Sequence, residues 1–373
     1  SELLSIVEER NPLTLNNAVT ALGRIGDKRA VRSLLMVLEH ADPRLRRDIV
    51  EALGLLGDRS ALGKIINILS DPNEDELVLL SAVQAVHRIP DLRAVRPIID
   101  ILHRTRNPTL RLQSVIALAT SGSHKAVAIL SALLPGADSA LQKAIAEALG
   151  NIDSSEAAET LTRLLNVEHL AIVIEALSGL RRNPLSSSVP ALIQLSEHSS
   201  AKVRRHALEA LAVNSDEAIR GILEHRLHKD SSPDVRVAAA LCLGKLGDKK
   251  AIGGLERSLK DESAIRSAAA ASLGSLGDES VIPALLALLK DPAPEVRYHA
   301  VSGLGKLKAA KAVRCIRGML EDSNEMVRHG AETALQNLGV KQVSISLPRR
   351  FACQAGRLMP DRIAGVLPGG AAL

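Results

Sequence analysis

The sequence predicts an all-α protein, a right-handed α-solenoid of about eleven helical hairpins, and three observations together predict it. A short phrase recurs with a period near 31 residues: the arginines of the Val-Arg or Ile-Arg steps, Arg204, Arg236, Arg266, Arg297 and Arg328, are spaced by 32, 30, 31 and 31. Within each unit the apolar residues fall at helical spacing twice with a break between, as in Val296, Ala300, Leu304 and Leu307, then Val313, Ile316 and Leu320. The composition suits closely packed helices. Hydrophobic residues make up 46% but aromatics only 1%, namely Tyr298 and Phe351 with no Trp, so the interior must be Leu, Ala, Ile and Val. That apolar content excludes generic disorder.

Taken in order, Leu3, Leu4, Ile6 and Val7 read as the second helix of a hairpin whose first helix is missing, so residues 1–10 are expected to be the remnant of a preceding helix. The solenoid spans residues 11–339, with first helices beginning near Asn11, Asp42, Asp71, Asn107, Gly136, Asn166, Ser199, Ser231, Asp261, Asp291 and Asp322. Asp-Pro opens a first helix because the Asp carboxylate accepts from orphan backbone N–H groups and Pro loses no hydrogen bond at the first helical position. Asp42-Pro43, Asp71-Pro72 and Asp291-Pro292 are the clearest instances. Gly-Asp, as at Gly26-Asp27, Gly57-Asp58, Gly247-Asp248 and Gly277-Asp278, marks the turn to the second helix: Gly takes the left-handed cap and Asp caps the second helix itself. Gly23, Gly54, Gly244, Gly274 and Gly305, three residues earlier, let neighbouring helices approach closely. Residues 340–373, with Pro348, Pro360, Pro368 and five Lys or Arg against Asp361 alone, are expected to be a flexible basic tail.

On these residues, Asp291-Pro292 through Leu304-Gly305 and Leu276-Gly277-Asp278 above all, the chain resembles the HEAT-repeat family, and within it the short bacterial subclass similar to phycobilisome-lyase repeats. The resemblance covers residues 11–339 and implies an armadillo-type superhelix whose second helices line a concave face. It also implies that the repeated arginine bonds to the capping and turn aspartates of adjacent repeats. Departures cluster in the middle: Asn73 to Glu76 is an acidic extension, Ser121-Gly122-Ser123 replaces Gly-Asp, and Asn183-Pro184-Leu185 lengthens another turn.

Two sets of cationic residues are the candidates for function. Arg46, Arg111, Arg204, Arg236, Arg266, Arg297 and Arg328 hold one equivalent position in seven repeats and read as a structural ladder, or alternatively as a phosphate track. Arg32, Lys64, Arg96, Arg163, Arg220, Arg257 and Arg317 lie on second helices and are the expected binding residues of the concave face. The net charge of +5, from 47 Lys and Arg against 42 Asp and Glu, is only mildly basic, and stacking aromatics are lacking.

Catalysis finds no foothold. Cys242, Cys315 and Cys353 are isolated, which disfavours both zinc and a disulfide framework and points to a reducing compartment, the cytoplasm. Cys242 and Cys315 are placed on core faces. There is no Gly-rich phosphate loop and no Gly-x-Ser-x-Gly elbow. Deoxyhypusine hydroxylase, an enzyme similar in repeat style, binds two irons through His-Glu dipeptides, but none of the eleven histidines here is followed by Glu. Helical-repeat alkylation-repair glycosylases need aromatics to hold a base, and Tyr298 alone does not make that pocket. No cofactor, metal or catalytic residue is therefore expected. The function expected is a non-catalytic scaffold for a protein or peptide partner. The alternatives are a nucleic-acid-binding arc and a subunit similar to bilin lyases.

Overall fold

The computed structural model describes residues 2–9, 12–214 and 217–340, and among these every regular element is helical. In chain order the helices are α1 (Glu2–Glu9), then ten hairpins: α2 and α3 (Pro12–Ile25, Ala30–Leu38), α4 and α5 (Pro43–Leu56, Leu62–Ser70), α6 and α7 (Glu76–Arg88, Val95–Arg104), α8 and α9 (Pro108–Ser121, Lys125–Leu133), α10 and α11 (Ser139–Gly150, Ser155–Leu164), α12 and α13 (Leu170–Arg182, Val189–Leu195), α14 and α15 (Ala201–Leu211, Glu217–Lys229), α16 and α17 (Pro233–Leu246, Ile252–Arg257), α18 and α19 (Ser263–Ser275, Ile282–Leu288), and α20 and α21 (Pro294–Lys306, Val313–Gly318). The last helix, α22 (Glu325–Asn337), is an eleventh first helix. The protein is thus an all-α solenoid in which first helices stack on first helices and one apolar core runs from Val7 to Leu335. The basic tail foreseen from residue 340 lies, from 341 on, outside the described residues.

The local chemistry follows the repeat, with one reassignment. Asp42 caps α4, accepting from the Leu45 N–H at 2.9 Å with Pro43 at the first helical position, and Gly57 closes the helix in the left-handed region at φ 66°. Asp71 and Asp291 do not act this way. Helix α6 starts at Glu76, where Asp75 accepts from the N–H groups of Leu77 and Val78, because the acidic extension inserts an extra turn after Asp71. Helix α20 starts at Pro294, and the Asp291 carboxylate instead accepts from the Ala293 N–H and from an arginine of the preceding repeat. An aspartate set further back from the helix has turned from cap to inter-repeat acceptor.

Small residues set the spacing between first helices. A Cβ placed on Gly23 would stand 2.8 Å from Ala52 Cα, and one on Gly274 would meet the Gly303 Cα. Tyr298 packs on the next first helix in the same way, its ring occupying the space that a side chain on Gly330 would need. Cys242 is buried, with its thiol donating toward the Leu208 carbonyl at 3.6 Å and pushed up to about 12 by burial. Cys315, in contrast, is exposed: it follows Arg314 on the outer face of α21, while Val313 and Ile316 turn inward.

Burial also acts on His299, which it pushes down to about 4, helped by Lys306 and opposed by Glu295. His206 is held at about 4 by burial and then by Arg205, Lys202 and Arg181. Both groups have native pKa values below the unfolded value of about 6.5, so the unfolded chain takes up the protons first. Stability should therefore be undiminished above pH ~6.5 and fall as the pH drops from there toward ~4. Thermal melts between neutral and mildly acid pH would show this slope, and the pair His206→Gln and His299→Gln should flatten it.

Candidate binding surface

The seven ladder arginines each occupy the fourth position of a first helix, in α4, α8, α14, α16, α18, α20 and α22. That position aims the side chain at the loop joining one repeat to the next. Arg204 donates from Nε and Nη2 to Asp230 at 2.8 and 2.7 Å, and from Nη1 to the carbonyls of His198 and Ser199 at 2.8 and 2.9 Å. Arg297 repeats this with Asp322, at 2.7 Å from both nitrogens, and Arg266 with Asp291, at 2.9 Å from both. Arg236 reaches Asp261 at 3.3 Å and Glu262 at 3.1 Å. In α4, Arg46 bonds Glu74, the carboxylate that the acidic extension supplies, and donates to the Leu38 carbonyl at 3.2 Å. Arg328 donates to the carbonyls of Asp322 and Ser323 at 2.7 and 3.1 Å, and the chain from residue 341 on lies outside the described residues.

These rungs are charge-assisted; that of Arg204 and Asp230 is buried, and the others are partly so. Burial pushes Asp230 and Asp291 up, but the hydrogen bonds from Arg204 and Arg266 and from backbone N–H groups outweigh it and hold both below the usual carboxylate range. The hydrogen bonds from Arg297 hold Asp322 low in the same way. The remaining first helices carry Leu15, Leu79, Gln142 and Val173 at this position, and Gln142 keeps part of the pattern by donating to the Leu134 carbonyl at 3.2 Å.

The second-helix candidates do not form one row. Aligned on the buried pairs Ala30-Val31, Ala61-Leu62 and Ala94-Val95, Arg32 and Arg96 hold the same exposed place, which in α5 belongs to Gly63, so Lys64 stands one residue out of register. Lys64 pairs with Glu39 at the end of α3 at 2.7 Å, Arg96 with Asp100 on its own helix at 3.0 Å, and Arg163 donates to Thr160 Oγ1 at 2.9 Å. Arg220 is the most engaged, with Asp248 at 2.8 Å and Glu224 at 3.3 Å. Arg257 lies 3.4 Å from His228 Nε2, and Arg317 is exposed.

Arg32 and Lys64 do meet, in an open groove of about 550 Å³ between α3 and α5. Its walls carry Lys28, Arg29, Arg32 and Lys64 against Glu39 and Asp58, over an apolar floor of Val31, Leu35 and Met36. Met36 is 48% exposed, and it is the residue that composition and charge did not single out. Its visible trace in the sequence is an apolar residue on the outward side of an amphipathic helix. Among the described residues no cluster of three or more His, Cys, Asp or Glu is placed to hold a metal ion, and no helix is long and apolar enough to cross a membrane.

The family model of HEAT repeats matches residues 1–87, 31–119, 95–181, 189–273 and 261–336. The chain belongs to the HEAT-repeat family. None of the curated proteins matches it. Among solved structures, this HEAT-repeat chain is similar to one in the complex of Kap95p with RanGDP, at 12% identity and TM-score 0.60, covering 90% of this chain and 55% of that one. The chain thus spans about half the length of that protein, and the likeness shows the fold. It also matches an engineered protein at 20% identity and TM-score 0.46, covering 83% of this chain and 98% of that one. Human deoxyhypusine hydroxylase, in complex with glycerol, matches at 20% identity and TM-score 0.31, with 75% and 96% covered.

Proposed function

We propose that this HEAT-repeat protein is a non-catalytic scaffold that binds a protein or peptide segment along its second helices, the face the family resemblance makes concave. The observation that carries this is internal to the chain. The place after each buried pair of the second helix is exposed in repeat after repeat, yet it is Arg32, Gly63, Arg96, Ala128 and Glu159 in the first five. Folding makes the same demand on every repeat of such an array. Positions that recur, like the ladder arginines and the small residues between first helices, answer that demand, and an exposed column that varies so widely does not. The groove between α3 and α5 is one part of that surface, and its cationic walls over an apolar floor suit an acidic residue beside an apolar one.

Within this proposal the ladder arginines are structural, since five of the seven already hold carboxylates of the neighbouring repeat. The finer kinship with the phycobilisome-lyase subclass and a cytoplasmic setting, suited to the free thiols of Cys242 and Cys315, also belong to it. The test is affinity capture with the chain carrying Arg32→Glu, Lys64→Glu and Arg96→Glu together. The pairs lost, Lys64 with Glu39 and Arg96 with Asp100, are exposed and cost little stability, so a folded triple variant, checked by circular dichroism, should lose a partner that the wild type retains. Equal retention by both proteins would contradict the assignment of the surface.

A further inference from the structure

One interior rung of the ladder has no carboxylate. Arg111 holds the fourth position of α8 like its six counterparts, but its Nε is buried and without a hydrogen-bond partner. The residue 25 places on, where Asp291 and Asp322 serve Arg266 and Arg297, is Gly136. Gly136 stands three residues before α10, just as those two aspartates stand three residues before α20 and α22, so the register is intact and only the carboxylate is absent. Asp138 does not replace it: no hydrogen bond joins it to the Arg111 Nε, and its Oδ1 caps α10 by accepting from the Leu141 N–H at 2.8 Å. Glu76 of the preceding repeat is taken by Thr105 Oγ1 at 3.0 Å and Asn107 Nδ2 at 3.2 Å. Between Asp100 and Asp138 the chain has no acidic residue and four cations, Arg104, Arg106, Arg111 and Lys125.

We propose that Arg111 receives a carboxylate from an acidic segment of a partner polypeptide, docked on the edge where α8 and α10 begin. In four of the five completed rungs, those of Arg46, Arg204, Arg266 and Arg297, this position presents the guanidinium fork to one carboxylate; the fork fits a phosphate as well, so it is what the equivalent rungs hold that favours a carboxylate here. A half-buried arginine with one exposed face holds a lone small carboxylate only weakly in water. A polypeptide that also reaches the exposed Arg104 and Arg106 adds further charge contacts, and no aromatic side chain is at hand to stack a nucleobase. Apart from Arg104, which ends α7, this edge is formed by first helices and their entry loops and includes none of the second-helix candidates, so the proposal is separate from that surface.

The test completes the rung from within. A side chain at Gly136 meets nothing within 4 Å and the backbone there is not left-handed, so Gly136→Asp can fold and place a carboxylate 25 residues from Arg111. The probe is a fluorescein-labelled oligoglutamate peptide at low salt, with oligoglutamine as its control. The wild type should bind oligoglutamate, Gly136→Asp should melt higher and bind about tenfold more weakly, and Arg111→Gln should bind as weakly without the gain in melting temperature. Wild-type affinity in both variants would overturn the proposal, as would failure of the wild type to bind oligoglutamate. Arg111-dependent binding of a single-stranded oligonucleotide in place of the peptide would overturn it in favour of phosphate.

Discussion

Asp230→Ala should destabilise the protein by about 3–5 kcal/mol, the range for removing one partner of a buried ion pair. The Asp230 side chain is 1% exposed and that of Arg204 10%, so water cannot take over the role of the lost carboxylate. The substitution leaves Arg204 with two carbonyl acceptors and deprives the Ser232 N–H of its acceptor at 2.9 Å. By contrast Arg96→Ala, which removes an exposed pair with Asp100, should change stability by no more than about 0.5 kcal/mol. Because each repeat touches only its neighbours, loss at the junction of α14 and α16 should also reduce cooperativity. Urea melts followed by circular dichroism would show a lower midpoint and a shallower or divided transition. A cost below about 1 kcal/mol would mean that the rungs are ornamental. The same carboxylates set the far acid limb: their native pKa values are depressed, so their stabilisation is present above the unfolded pKa and is lost as the pH falls through the native one.

Gly274→Ala should destabilise by about 1–3 kcal/mol although alanine is the better helix former, because its methyl group lands on the Gly303 Cα. Main chain cannot swing aside as a side chain can, so α18 and α20 must separate along their whole contact. Gly274→Leu should cost more and release α20 to α22 as a separate unit. Gly63 provides the opposite sign: it lies inside α5, and a methyl group there would meet nothing within 4 Å, so Gly63→Ala should gain up to about 1 kcal/mol. Calorimetry on the two alanine variants separates close approach from helix propensity. Stabilisation by both would refute glycine as the spacer between first helices.

The period, the hairpins and the glycine spacing were legible because each is stated many times over in the chain. Val296, Ala300 and Leu304 carry the same message as their counterparts one repeat away, so noise at one place is corrected at another. Helix starts were less legible where a motif has two uses. Asp-Pro marks a cap at Asp42, yet Asp291, three residues before its helix, serves an arginine from the repeat behind, and only the three-dimensional stacking distinguishes the two. Cys315 was misplaced because one residue of rotation on a six-residue helix, α21, exchanges inside for outside.

The proposed binding surface was least legible of all. Charge alone selected Arg32, Lys64 and Arg220, but Arg220 is engaged by two carboxylates whereas the groove that joins Arg32 and Lys64 depends on Met36 and on the neighbouring helix. Nor could spacing alone distinguish a completed rung from the one at Arg111. That distinction rests on a residue 25 places away being Gly136 where other repeats have Asp.

The central claim is that the molecule offers its second helices to a protein while its ladder arginines hold the repeats together. The most direct measurement is affinity capture from a lysate of the native organism at physiological salt, with and without nuclease, read by mass spectrometry. The expected result is a discrete protein retained equally in both arms. Recovery that disappears with nuclease would contradict it, and would mean that the arginine row meets phosphate.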